Sequence, residues 1–444
     1  MDLKMSSNAP MAHAGPSSIL NEISSTASRR RAVLAATIGN TLEWYDFLIY
    51  GFLAATIGKL FFPAEQELTS LLLSVATFGV GAIMRPVAGV VLGIYADRIG
   101  RKAALTLTIF IMGLGTGLIA IAPTYGSIGI WAPIMIVIAR LLQGIACGGE
   151  LGGATAILVE NAPPRRRGFY ASWQTSSQAA GIVLGTMTTM VVSLSMTPAE
   201  LQAGGWRWPF AIGLLVVPVG LYVRWALDEP EPFLKARRDG LTFSFGGMVR
   251  GEYRALLSGI GISVLYLACA YVLFVYMPTY VVRELRLSFP QALLSTAIAG
   301  LVVFAFSPIF GLVSDRYGRK SLLLIGALGF GLMTYPAFML ILAQPSFARL
   351  AAVQSGFALG MAMYAGPAIS VYAELFPTHV RSTAVSVIYG FTAALVGGFA
   401  PFIVTWLIAV TGNPLAPAFY VVVAAAVSTA TLVTFRDRFD EPLR

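Results

Sequence analysis

Apolar runs of about 20 residues recur along the chain, near 32–57, 70–95, 103–122, 131–158, 169–195 and 207–227. After a polar interval they resume near 255–280, 291–313, 321–343, 347–373, 383–410 and 415–435. Each run is long enough to cross about 30 Å of hydrocarbon as an α-helix. The pattern predicts an all-α membrane protein of twelve transmembrane helices with both termini on one side. The polar interval at 228–254 reads as a linker between a six-helix bundle over 29–227 and a second over 255–435, with a short tail at 436–444. The first 28 residues are rich in Ser and Ala and lack the apolar core of a signal peptide, so 1–28 is expected to be a disordered tail.

The two halves repeat each other. GIYADRIGRK at 93–102 recurs as GLVSDRYGRK at 311–320, an offset of 218, each directly after the second run of its half. Glu160 and Glu374 correspond at an offset of 214, as do Arg167 and Arg381, and Gln354 stands the same distance beyond Arg140. In tandem repeats of this kind a substrate site lies where the halves meet, near the bilayer midplane. Within the repeated loop, Gly93 and its counterpart Gly311 permit close helix approach. Asp97 and Asp315 are placed to accept hydrogen bonds from a neighbouring helix N-terminus. Arg98, Gly100, Arg101, Arg316, Gly318 and Arg319 complete a basic turn. Together with Glu160, Glu374 and Arg381 these residues are expected to form a latch that breaks and remakes as the halves rock.

Composition and charge sharpen this picture. Hydrophobic residues make up 57% of the chain and charged ones 11%, against about 25% charged in soluble domains. The net charge of +9 could point to nucleic acid, but its distribution argues otherwise. With the N-terminus inside, 23 of the 30 Lys and Arg fall on the side of the termini. Five fall opposite, namely Lys59, Arg207, Arg283, Arg286 and Arg349, and two, Arg85 and Arg140, lie within spans. The positive-inside rule then predicts that both termini are cytoplasmic, and the basic excess belongs to membrane topology. Cys147 and Cys269 lie inside apolar runs, which excludes a disulfide framework. No nucleophile–base set and no metal-ligand cluster is evident, so neither an enzymatic reaction nor a cofactor or metal is expected.

The intramembrane charges carry the candidate chemistry. Glu43, Arg85 and Arg140 each fall roughly 13–16 Å from a membrane surface at 1.5 Å per residue, so they converge on the midplane. Asp46 lies one helical turn beyond Glu43, and Glu150 lies below Arg140 toward the cytoplasm. Buried ionisable groups at that depth mark a functional pathway by default. All five belong to the first half; the second offers only uncharged polar groups, among them Tyr271, Tyr276, Tyr280, Gln354 and Tyr364. No histidine reaches the midplane, since His13 and His379 lie outside the spans, and proton handling falls to carboxylates. Asp46 and Glu43 are the first candidates, with Arg140 and Glu150 beside them; structural ion pairing, such as Glu43 with Arg85, is the competing reading. Arg85 is the expected anion ligand because a guanidinium binds carboxylates bidentately. Gln174 and Gln178, at i and i+4, with Tyr276, Tyr280 and Tyr364 from the other half, could bond carboxylate or hydroxyl oxygens. Each is equally plausible as an interhelical hydrogen bond.

The duplicated loop and the twelve-span plan resemble the major facilitator superfamily over nearly the whole chain after the tail. GNTLEWYDFLIYG at 39–51, ARLLQGIACGGELGGA at 139–154 and RRRGFYASWQTSSQ at 165–178 are similar to its metabolite:proton symporter branch. GFYASWQTSSQ and YMPTY at 276–280 look closest to the citrate and tricarballylate symporters. The family's loop often carries a further basic residue where this chain has Ala103. In the superfamily the pattern formed here by Arg140, Gln143 and Gly144 is often assigned to coupling. The resemblance implies a secondary transporter, acting as a monomer in a bacterial-type inner membrane, that imports a small citrate-like carboxylate with protons by alternating access. Uptake of shikimate or of proline and betaine is the alternative within the branch, although osmolyte importers typically carry a long charged C-terminal extension. Drug efflux by antiport shares the fold but usually needs a larger apolar pocket.

Overall fold

The computed structural model describes residues 16–163, 165–225, 234 and 245–443. Ten helices among these residues are long and apolar enough to cross a membrane, or eleven when the bent pair Pro198–Gly205 and Arg207–Tyr222 is taken as one. Helix Pro16–Phe52 is the remaining member of the first bundle, packed along Arg167–Ser195 and Trp131–Glu160. It falls short on hydropathy because Asn40, Glu43, Trp44, Tyr45 and Asp46 interrupt its apolar face. In chain order the spans are span 1 (Pro16–Phe52), span 2 (Glu67–Arg98), span 3 (Arg101–Ile121), span 4 (Trp131–Glu160), span 5 (Arg167–Ser195) and the bent span 6. The second half holds span 7 (Phe245–Arg283), span 8 (Phe289–Tyr317), span 9 (Arg319–Ala343), span 10 (Phe347–Glu374), span 11 (Thr378–Thr411) and span 12 (Ala416–Thr434).

Three boundaries differ from the sequence reading. Span 1 starts at Pro16, so residues 16–28 are helical where composition suggested a disordered tail; residues 1–15 lie outside the described ones. Span 7 begins at Phe245, inside the expected linker, and 226–233 and 235–244 are not among the described residues. The final segment is anchored to both halves. The Asp437 carboxylate accepts the backbone N–H groups of Arg319 and Lys320 at 2.7 and 2.9 Å, which caps span 9. The Glu441 carbonyl accepts from Arg167 of span 5 at 2.8 Å.

At the end that holds the termini the halves are pressed together through small residues. A Cβ on Gly152 of span 4 would meet the Ser382 carbonyl of span 11 at 2.1 Å, and one on Gly93 of span 2 would meet the Thr383 Cα at 2.9 Å. Gly168 of span 5 and Gly311 of span 8 approach each other equally closely, each hypothetical Cβ lying 2.5 Å from the other's carbonyl oxygen. Without side chains at these positions, backbones come into contact. Gly152→Val is therefore expected to hold the halves apart at this end. A cysteine placed at Ser386 should then react faster with an impermeant thiol reagent supplied on that side, and an unchanged rate would remove Gly152 from the seal.

Helical geometry departs from α where the halves meet. Tyr271–Tyr276 of span 7 and Ala393–Gly397 of span 11 are π-helical, a distortion frequent at functional sites. Gly397 makes room for the Tyr271 ring, which a Cβ there would meet at 2.7 Å. The Gln354 amide donates to the Leu273 carbonyl within the π segment at 3.2 Å and fastens span 10 to it.

Candidate functional site

Arg85 is the centre of the site. It is 1% exposed, and Nη1 donates to the Tyr271 hydroxyl of span 7 at 2.7 Å, a bond from one half to the other. Its guanidinium lies 4.2 Å from the Phe47 ring centre and 5.9 Å from the rings of Tyr271 and Tyr389. Such stacking offsets part of the desolvation of a buried cation. Its Nε has no hydrogen-bond partner. Glu43 of span 1 is within electrostatic reach of Arg85 and neighbours the Cys147 thiol of span 4. Glu43 and Arg85 thus share one buried locale.

Around Arg85 lie further groups with unused hydrogen-bonding capacity. The Tyr266 hydroxyl of span 7 donates to the side-chain Oε1 of Gln178 on span 5, a second bond between halves. The Gln178 Nε2 has no partner, and neither does the Tyr389 hydroxyl, whose ring lies 6.2 Å from that of Tyr266. Gln174 donates through Nε2 to Asn40 at 3.0 Å and accepts from its amide at 3.1 Å through the backbone carbonyl, which leaves Oε1 unused. Buried polar groups are nearly always satisfied, and the unused Arg85 Nε, Gln178 Nε2 and Tyr389 hydroxyl are candidates for contact with a polar ligand.

Arg140 and Asp46 form a separate, neighbouring system. Arg140 is caged by the rings of Phe47, Tyr50 and Phe78, at 4.4, 4.7 and 4.7 Å. Its Nη1 donates to Gln143 at 2.6 Å, and Gln143 donates to the Thr116 hydroxyl of span 3 at 2.9 Å. Beyond Thr116 stands Asp46, with one oxygen against Gly213 of span 6; neither carboxyl oxygen has a hydrogen-bond partner. This corrects the expected close pairing of Asp46 with Glu43. Although i and i+3 share a helix face, Glu43 meets Cys147 of span 4 while the missing side chain at Gly213 leaves room for Asp46 in the core of the first bundle.

The three tyrosines expected to line the site from the second half are corrected as well. The Tyr280 hydroxyl donates to the Pro414 carbonyl at 2.9 Å and that of Tyr364 to the Ile262 carbonyl at 2.8 Å. Tyr276 packs on Tyr280, at 6.2 Å between ring centres, with its hydroxyl toward Thr405. All three serve the interior of the second bundle. Tyr266, Tyr271 and Tyr389 occupy the interface instead. Tyr280→Phe should lower stability by about 1 kcal/mol, the net contribution of one such bond, with substrate KM unchanged; thermal unfolding and uptake kinetics together test this. Glu150 is buried in span 4, about 15 Å along the helix from Arg140, and does not join either cluster.

The second of the repeated loops meets the opposite half in detail. Asp315 accepts the backbone N–H groups of Gly168 and Phe169 at the start of span 5, at 2.8 and 2.9 Å. Arg319 pairs with Asp315 at 2.8 Å and with Glu374 at 3.1 Å. Arg381 pairs with Glu160 at 2.8 Å across the halves, both side chains buried. Gly100 and Gly318 take φ of 147° and 88°, values that favour glycine. Arg98 and Arg316 are exposed. The side chains of Asp97 and Arg101 lie outside the described ones.

Residues 32–241 match the family described as Sugar (and other) transporter, and 259–443 match Major Facilitator Superfamily. The chain is 37% identical over 89% of its length to the citrate-proton symporter of Salmonella typhi, of which it covers 91%. It is 34% identical over 94% of its length to the proline/betaine transporter of Escherichia coli strain K12, of which it covers 85%. Among solved structures, the xylose transporter XylE from E. coli, partially occluded and inward open, superposes with a TM-score of 0.75 at 20% identity, covering 93% of this chain and 98% of that one.

Proposed function

The chain belongs to the major facilitator superfamily of membrane transporters, and from that premise we propose that it imports a small citrate-like carboxylate together with protons. The observation that carries this reading is the Arg85 guanidinium, buried between the halves, bonded across them to Tyr271, and still holding an unused N–H. Gln178 and Tyr389 add two more unused donors. These three unused donors suit the carboxylate oxygens of an anion, and the unused Gln174 Oε1 could accept from a substrate hydroxyl. A zwitterion would also bring a cation, and Glu43 is the acidic group near Arg85 that could receive it.

Substrate engages Arg85, Gln178 and the interfacial tyrosines, and binding draws the halves together because the ligands belong to both. Asp46 and Glu43 handle protons, and Arg140, through Gln143 and Thr116, connects the Asp46 region to the aromatic layer beside the substrate site. Asp315 on the start of span 5 and Arg381 on Glu160 form the latch that closes one end. With both termini cytoplasmic, as the charge bias requires, the closed end faces the cytoplasm and the opposite end faces out. The protein acts as a monomer in a bacterial inner membrane.

Counterflow in proteoliposomes with citrate, oxoglutarate, shikimate and proline tests the reading. Accumulation of citrate or oxoglutarate, dissipated by a protonophore, is expected. Preference for proline would transfer the site to zwitterions, and expulsion of a hydrophobic cation with none of the four accumulated would sink the importer reading.

A further inference from the structure

We infer that the cavity at the end opposite the termini is a separate reception site for carboxylate anions, held there by Arg283 and Arg286 before passage inward. The inference rests on the carboxylate reading above and adds a second site in series. The cavity has a volume of about 650 Å³ and is walled by Phe52, Thr56 and Glu67 from the first half and Thr279, Arg283 and Arg286 from the second. It therefore opens between the halves on the face where they are not latched.

The charge pattern identifies its ligand. The chain places only five Lys and Arg on this face, yet two line this one cavity and a third, Lys59, pairs with Glu67 on its wall at 2.8 Å. Arg283 and Arg286 share the lining with Glu67 and Glu284, and Lys59 at the rim brings a third cation to these two carboxylates, so the mouth carries one positive charge in excess. Topology rules work against cations here, and their concentration at the mouth calls for another cause. Arg286 also adopts φ of 56°, a backbone conformation that glycine or asparagine would take more readily. Retention of arginine at a strained position points to its side chain as the part that matters.

Arg283 ends span 7, twelve residues or about 18 Å from Tyr271 on the same helix. The rings of Phe47 and Phe78 pack against Tyr271 at the inner end of that distance. An anion collected at the mouth would be concentrated at the start of the path without entering the central site. Charged clefts with low-dielectric walls raise capture rates in this way, and salt weakens the effect.

Thr279→Cys provides a test that is independent of transport, because the two native cysteines are buried. Its modification by the anionic sulfonatoethyl and the cationic trimethylammonium-ethyl methanethiosulfonates is measured, each rate divided by that with a free thiol. The anionic reagent is expected to be favoured by roughly fivefold, and the preference should vanish when R283Q and R286Q are added. In transport, R283Q/R286Q should raise the citrate KM roughly three- to tenfold at low ionic strength with Vmax kept, and should flatten its salt dependence. R283K/R286K should restore both. Equal normalised rates at Thr279→Cys, or an unaltered citrate KM in a citrate-transporting protein, would overturn the inference. Anion preference at the cavity in a protein that carries no citrate would instead reject the substrate proposed above and leave the reception site standing.

Discussion

Arg85→Gln is expected to raise the KM for citrate about a hundredfold, equivalent to about 3 kcal/mol, with the protein still folded and inserted. The size follows from where Arg85 sits. It is buried, it bonds Tyr271 of the other half at 2.7 Å, and three aromatic rings surround it. Removal of the cation leaves a bound carboxylate desolvated with no counter-charge, a loss of 2–5 kcal/mol in comparable buried pairs. Arg85→Lys should recover only part of the loss, since an ammonium cannot present a planar fork while bonding Tyr271. Comparison with a neutral analogue separates binding from folding: the anion should lose far more than the neutral compound. Equal losses for both would mean that Arg85 holds the bundle together and does not meet the substrate.

The second large effect is expected at Asp46. Asp46→Asn should reduce the accumulation ratio under an imposed pH gradient to about one while downhill exchange persists, because coupling is a free-energy link between two sites and not a property of either alone. Both carboxyl oxygens are buried without a hydrogen-bond partner, against Gly213 and near Thr116. An amide of nearly the same shape fits there, so the bundle should assemble normally. Gradient-driven and exchange uptake measured in the same vesicles decide the matter; undiminished accumulation would remove Asp46 from coupling and transfer the role to Glu43.

Much of the architecture was legible because hydrocarbon imposes a length on every span, and twelve apolar runs map onto twelve helical segments once Pro16–Phe52 and the bent span 6 are included. The meeting of Glu43 with Arg85 was legible for a similar reason: depth follows from counting residues along a helix of fixed rise. Direction is harder. Asp46 departs from Glu43 by only one turn, yet Gly213 of a distant span opens space for it inside the first bundle. Tyr276 and Tyr280 were expected as ligands because they are polar groups within a span of the second half, but residue type does not say which neighbour a hydroxyl meets. Tyr389 gave no sequence signal at all, being one tyrosine in a small-residue stretch. Its place beside Arg85 depends on span 11 lying against span 2 through Gly89 and Gly93. The end of the chain was read only as a short tail; pairing of Asp437 with the first N–H groups of span 9 is a long-range match that composition does not reveal.

That terminal segment has a practical corollary. Asp437 grips the second bundle and Glu441 touches Arg167 of the first, so residues 437–441 bridge the seam between the halves. A purification handle fused behind Arg444, or antibody binding to it, should therefore alter turnover as well as detection, while the same handle grafted elsewhere should leave the rate alone.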